Sequence, residues 1–123
     1  MSKKLFDFVI GNPPYQENGD TNNRSQPLYP YFYDASEIVS SKYMLITPAR
    51  FLFNAGLTAK DWNKKMLSDE NLKVERYEQD GTAIFPNTDI KGGVAIIYRN
   101  DSKKFITDHL IQKSSEISLV SAF

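Results

Sequence analysis

Cysteine is absent from this 123-residue chain, and histidine occurs once, at His109. Those two scarcities exclude disulfide frameworks, zinc sites built on thiolates or paired histidines, and cysteine nucleophiles. A serine–histidine–acid triad has to use His109 or not exist. Charge of one sign is lacking too: 15 Lys and Arg balance 15 Asp and Glu, and the sequence pI is about 6.6. A free-standing nucleic-acid binder carries a basic excess, so phosphate attraction does not by itself drive what this chain does. No window approaches the roughly 18 apolar residues of a membrane span, and Met1-Ser2-Lys3-Lys4 is followed by neither a long apolar region nor a small-residue cleavage site. A cytoplasmic protein away from the membrane is therefore expected. Rings are what the chain has in quantity: eight Phe, seven Tyr and one Trp. Its chemistry has to run on amides, backbone carbonyls, carboxylates and rings.

At 14.1 kDa there is material for one core. Leu5-Phe6-Asp7-Phe8-Val9-Ile10 is almost continuously apolar, the pattern of a short strand buried on both faces. It runs into Gly11-Asn12-Pro13-Pro14-Tyr15, where two prolines forbid a central strand and force a turn. Residues 16–27 are polar and rich in Asn, Gly and Ser, a loop. From Leu28 the period becomes helical: Leu28, Tyr31, Phe32, Ala35, Ile38 and Val39 share one face, with Pro30 tolerable in the first turn. Tyr43–Ile46 reads as a second strand stopped by Pro48. Thr58 and Asp61 have capping-box spacing, with Leu57 and Trp62 at the staple positions around them. Leu72–Tyr77 and Val94–Tyr98 read as two further strands, paired antiparallel because no helix separates them. Alternating strands and helices predict an α/β sheet of mostly parallel strands ending in an antiparallel hairpin. A sheet of four strands leaves open apolar edges, which are ready sites for self-association.

Asn12-Pro13-Pro14-Tyr15 is the informative element, because ligands of α/β sheets sit at the carboxyl ends of strands. The bland alternative is a rigid Pro-Pro turn with Tyr15 packed over it. Phe6-Asp7-Phe8-Val9-Ile10-Gly11-Asn12-Pro13-Pro14-Tyr15 resembles the catalytic motif of S-adenosylmethionine-dependent amino-group methyltransferases. Among these it is most similar to the N6-adenine DNA methyltransferases of restriction–modification systems. The likeness continues through Thr47-Pro48-Ala49-Arg50-Phe51-Leu52, Ile84-Phe85-Pro86-Asn87 and Gly92-Gly93-Val94-Ala95-Ile96-Ile97-Tyr98, so that it spans residues 5–100.

The resemblance implies a chemistry that these residue types suit. Adenine's exocyclic amine is a poor nucleophile because its lone pair is delocalised into the ring. Both of its N–H groups donate to acceptors, the Asn12 side-chain oxygen and the Pro13 carbonyl, which localises the lone pair toward the sulfonium methyl. Pro13 and Pro14 fix φ and preorganise that carbonyl. Tyr15 stacks on the base once it is flipped from the duplex, and Phe85 is the candidate for the other side of the pocket. The alternative for Phe85 is a hydrophobic plug beneath its loop. Phe32 is placed near the cofactor's adenine, although its helical face also predicts core packing. Asp7 lies within touching range of the site, Arg24 is a candidate DNA-backbone contact, and Lys64-Lys65 and Lys103-Lys104 read as solvated faces. No metal is implied.

In the family the cofactor is held by a glycine-rich strand-to-helix turn and an acidic residue. The six glycines, at 11, 19, 56, 81, 92 and 93, make no such turn. The expectation is a partial catalytic domain over residues 1–100, the C-terminal half of a Rossmann-like sheet, followed by a tail or the start of another region at 101–123. The cofactor-binding half then lies upstream or downstream, or in a partner subunit. The isolated chain is expected to be inactive, and DNA is met through the complete enzyme. Two alternatives stay open: an amino methyltransferase acting on RNA adenine or a protein glutamine, and a non-catalytic fragment that serves as a partner-binding module.

Overall fold

The computed structural model describes residues 4–14, 27–55, 57–80 and 92–105. Four strands form one sheet: β1 (Val9–Gly11), β2 (Lys42–Pro48), β3 (Leu72–Glu78) and β4 (Val94–Asn100), in the spatial order β1-β2-β4-β3. Helix α1 (Tyr29–Val39) joins β1 to β2, and α2 (Lys60–Ser68) joins β2 to β3 after a 3-10 turn at Arg50–Phe53. Strands β1 and β2 pair in parallel, whereas β4 is antiparallel to both β2 and β3. The sheet is thus mixed, a correction to the mostly parallel expectation. The antiparallel pairing of β3 with β4 is as expected. What the periodicity does not reveal is that β4 returns between β2 and β3, reversing direction in the middle of the sheet.

One face of the sheet carries both helices. Tyr43, Leu45 and Thr47 of β2 alternate inward, with Leu72, Ala95 and Ile97 beside them. Against them pack Tyr29 and Tyr33 from α1, Trp62 and Met66 from α2, and Phe51 from the 3-10 turn. The Tyr33 ring lies 5.6–5.8 Å from those of Tyr43, Phe51 and Trp62, and its hydroxyl meets Thr47 Oγ1 at 2.6 Å.

The buried face of α1 is Tyr29, Tyr33 and Ser36, which differs from the predicted one. Tyr31, Phe32 and Ile38 of the predicted stripe are 68%, 42% and 72% exposed. At 100° per residue the helix carries two apolar sectors, and polarity alone does not rank them. Tyr33 wins because its ring and hydroxyl both find partners. The other sector, with Leu28, Phe32, Ala35 and Val39, turns away from α2, whose Lys65 holds Asp34 and Glu37 on the opposite flank of α1.

Strand β1 departs furthest from expectation. It is a short edge strand, preceded by a single bridge between Phe6 and Ser40. Leu5, Phe6, Phe8 and Ile10 are 76%, 56%, 44% and 74% exposed, not buried on both faces. The reason is topological: β2 pairs with one side of β1, and no described strand pairs with the other. Asp7 is exposed and precedes β1, so it stands at the end of the strand away from Asn12.

Helix α2 also starts differently from its predicted cap. Ala59 is the N-cap, and the Thr58 hydroxyl donates to Asn63 Oδ1 at 2.6 Å instead of capping. Asn63, fully buried, donates in turn to Asn54 Oδ1 at 3.1 Å. This ties the loop after β2 to the helix around Asn54, whose left-handed φ of 54° an asparagine tolerates. Leu57 stays 43% exposed while Trp62 enters the core, so no staple forms.

At the far end of the sheet Arg99, 11% exposed, pairs with Glu37 at 3.0 Å, Asp69 at 2.9 Å, and Asp101. One guanidinium thereby joins α1, the end of α2 and the turn after β4. Desolvation opposes its charge, but these carboxylates outweigh the burial and raise its pKa. Lys65 is likewise more than solvated, since it bridges α2 to α1. Lys103 and Lys104 are exposed as expected.

Gly93 gives a direct test of this packing. Its φ is +86°, and an added Cβ would lie 2.4 Å from the Glu78 carbonyl oxygen. Backbone does not yield there as a flexible side chain does. Gly93→Ala should therefore lower stability by about 2–4 kcal/mol, read as a fall in the urea unfolding midpoint with unchanged slope.

Candidate active site

Because β1, β2 and β3 run one way and β4 the other, the carboxyl ends of the first three and the start of β4 share one rim. The register fixes the levels: Gly11 lies beside Leu45, while Pro48 and Glu78 both face Val94. Both helices follow strands that exit at this rim, so their N-termini open there. Asn12-Pro13-Pro14 thus leaves β1 at the carboxyl end of the sheet, beside the exit of β2, as the sequence predicts.

Within the tripeptide Asn12 and Pro14 are exposed and Pro13 is buried. Among the described residues no hydrogen bond engages the Asn12 amide, so its oxygen is free to accept. The loop leaving β2 forms the adjacent wall, and the Ala49 N–H donates to the Gly93 carbonyl at 3.0 Å, joining that loop to the start of β4. Phe32, near the start of α1, is 42% exposed and does not belong to the buried core, against the core packing that its helical face predicts. Tyr15, Arg24, Phe85 and His109 lie outside the described residues, as does the concavity expected between Tyr15 and Phe85. The stubs that flank the Phe85 segment, at Asp80 and Gly92, both reach this rim.

The electrostatics of the rim turn on Tyr29 and Arg50. Burial pushes the Tyr29 hydroxyl up to about 12, partly offset by the positive charge of Arg50. Tyr43, deeper in the same cluster, is raised well above its ordinary value, first by burial and then by Tyr33. Among the described residues there is no group of three or more His, Asp or Glu placed to hold a metal ion. Sequence reasoning assigns no role to Arg50, which lies within Thr47-Pro48-Ala49-Arg50-Phe51-Leu52. The signal that marks it is its position, two residues past the end of a strand that exits beside Asn12.

Set beside known proteins, the chain falls in the class of methylases. The family profile described as Eco57I restriction-modification methylase matches residues 1–85, and the chain belongs to that family. It is 29% identical over 101 residues to an uncharacterized adenine-specific methylase of Mycoplasma pneumoniae, covering 78% of this chain and 24% of that relative. The chain therefore spans about a quarter of the relative's length. No solved structure matches it. Among the described residues no helix is long and apolar enough to cross a membrane.

The Tyr29 hydroxyl supplies a pH test. Its pKa rises from 10.0 in the unfolded chain to about 12 in the folded one. The native state thus keeps a proton that the unfolded state sheds, so stability is full below pH 10 and is lost as pH climbs toward 12. The loss attributable to this group is about 2–3 kcal/mol. No hydrogen bond holds this hydroxyl among the described residues, so Tyr29→Phe should change stability little at pH 7. It should also flatten the alkaline decline by about one proton, as seen in denaturant midpoints collected from pH 8 to pH 11.5.

Proposed function

We propose that the complete protein transfers a methyl group from S-adenosylmethionine to the N6 amine of adenine in DNA, and that this chain is its catalytic half. The observation that carries the reading is Asn12, exposed and with its amide oxygen free at the carboxyl end of β1, with the buried Pro13 directly behind it. Family membership and the adenine-specific methylase relative support the same chemistry.

When bound, S-adenosylmethionine supplies a sulfonium methyl. The protein's part is to make the amine ready for it. Asn12 and the Pro13 carbonyl each accept one N–H of the adenine amine, which draws its lone pair out of ring conjugation. The two prolines hold those acceptors in place, so little reorganisation is needed as positive charge grows on nitrogen. Tyr15 stacks on the flipped base, Phe85 closes the other side, and Arg24 meets the DNA backbone. Phe32 is the residue of this chain that fits the cofactor, offering its exposed ring to the adenine moiety. The remaining cofactor contacts come from the rest of the protein, which docks along β1. This accounts for the edge of β1 that no described strand pairs, with Leu5, Phe6 and Ile10 exposed.

Asn12→Ala in the complete enzyme should slow methyl transfer by about 2.7–4 kcal/mol in barrier, the scale of one preorganised polar group. Single-turnover methylation of adenine-containing duplex DNA measures this, and cofactor affinity should change far less. Full turnover by the variant refutes the assignment. Run in parallel on RNA and on a glutamine-bearing protein, the same assay selects among the substrates of amino methyltransferases.

The 123-residue chain alone should bind S-adenosylmethionine weakly or not at all, because alignment of methyl and amine is worth roughly 7–11 kcal/mol and needs both halves. Isothermal calorimetry reads this directly. Tight binding by the chain alone sinks the half-domain reading.

A further inference from the structure

We propose that Arg50 is a phosphate-holding residue of the rim, its guanidinium taking a backbone phosphate of the DNA strand that carries the target base. The inference rests on the methyltransferase reading above and adds to it a specific contact. Three arginines fall among the described residues, and two are committed. Arg99 is held by three carboxylates, and Arg76 pairs with Glu78 at 2.7 Å. Arg50 is exposed and, among the described residues, has no ion pair or hydrogen bond through its guanidinium. In a chain whose charges balance, an arginine that no described carboxylate holds is a local positive field open to an anion.

Its placement is built rather than incidental. The backbone of Arg50 is fixed, because its carbonyl accepts from Ala55 N–H at 3.0 Å and the loop beyond is pinned by Asn54 and Asn63. The stem is seated too. A Cβ added at Gly92 would fall 2.2 Å from Arg50 Cγ and 3.1 Å from Cδ, so the methylenes lie in a space that only a glycine leaves open. Gly92 itself stands at φ +83°, the left-handed region that glycine tolerates. With the backbone fixed and the start of the stem lying over Gly92, part of the side chain's rotamer freedom is already spent before the fork takes an anion.

The surroundings suit an anion. The N-terminus of α1 opens at the same rim with no acidic residue in its first turn and adds its partial positive charge, whereas α2 carries Asp61 in its own first turn. Phe51, the residue after Arg50, packs its ring 6.1 Å from that of Tyr29, so the Arg50 loop lies beside the start of α1. A planar fork of N–H donors on a rim beside an exposed base-activating asparagine matches the geometry of a phosphodiester, which it can grip with two parallel bonds.

The test uses the full-length methylase and a fluorescein-labelled duplex of arbitrary sequence, since a phosphate contact carries no sequence information. Anisotropy titrations at several salt concentrations give both affinity and the slope of log K against log salt. Arg50→Gln keeps the stem; it should weaken binding about tenfold, the scale of a charged hydrogen-bond pair, and reduce the slope by about one ion. Calorimetric binding of S-adenosylmethionine should be unchanged. Lys104→Gln, which removes one charge at the opposite end of the sheet, should leave the slope as it is. Arg50→Gln with wild-type affinity and slope overturns the assignment. Should that variant lose its melting transition, Arg50→Lys carries the test: a retained slope with about threefold weaker binding supports a bidentate contact, and unchanged affinity refutes it. A wild-type enzyme that methylates no DNA overturns the function itself, an outcome distinct from failure of Arg50 alone.

Discussion

The Tyr33 hydroxyl meets Thr47 Oγ1 at 2.6 Å, in a site where Tyr33 is 1% exposed and Thr47 is fully buried. Thr47 can pass its own proton to the Pro48 carbonyl at 3.2 Å, so both oxygens are satisfied without water. Around this bond the rings of Tyr29, Tyr43, Phe51 and Trp62 meet Tyr33 edge-on or tilted. These contacts come from both helices, from β2 and from the 3-10 turn. The bond therefore sets how α1 lies on β2, and it does so one residue before the strand ends. A buried polar pair in that position is more demanding than an apolar one, because another rotation of α1 breaks the bond between the two buried hydroxyls, which apolar packing alone does not replace. The orientation of the helix and the place where β2 releases its loop are settled together.

From that point the geometry of the rim follows. Parallel pairing of β1 on β2 brings Asn12 out beside the loop that carries Arg50, and the reversed β4 returns Gly92 and Gly93 to the same place. Ala49 bonds Gly93, and the stem of Arg50 fills the space over Gly92. This rim is thus assembled from segments distant in sequence. At the other end of the sheet a three-carboxylate clamp holds Arg99.

Apolar surface is left over in and before β1, where Leu5, Phe6, Phe8 and Ile10 are exposed, and on α1, where Tyr31, Phe32 and Ile38 are. On the sheet face opposite the helices Tyr98 meets Phe8 and Phe105, while Met44, Ile46 and Ile96 are half-buried. A free strand edge with apolar flanks is the surface that another part of a protein covers. A chain spanning about a quarter of its relative agrees with such a role for β1.

Much of this was legible in the order of residues. Runs of apolar residues broken by Pro13-Pro14 and Pro48 mark where strands stop, since proline cannot donate to a ladder, and that alone puts Asn12 at a strand end. The alternation of strand and helix, and the antiparallel pairing of Leu72–Glu78 with Val94–Asn100, follow from period and spacing. The chemistry proposed for Asn12 and Pro13 rests on residue type and on resemblance. Burial was not. Leu5–Ile10 has the composition of an interior strand, yet a strand is interior only when something pairs with both its edges, which no local pattern encodes. Helix α1 has two apolar sectors, and only the meeting of Tyr33 with Thr47, 14 residues away, selects between them. Thr58 has the spacing of a cap, but buried Asn63 claims its hydroxyl first. In each case the competing partner is brought in by folding, and long-range hydrogen-bond satisfaction outweighs local propensity because an unpaired buried polar group costs more than a misplaced apolar one.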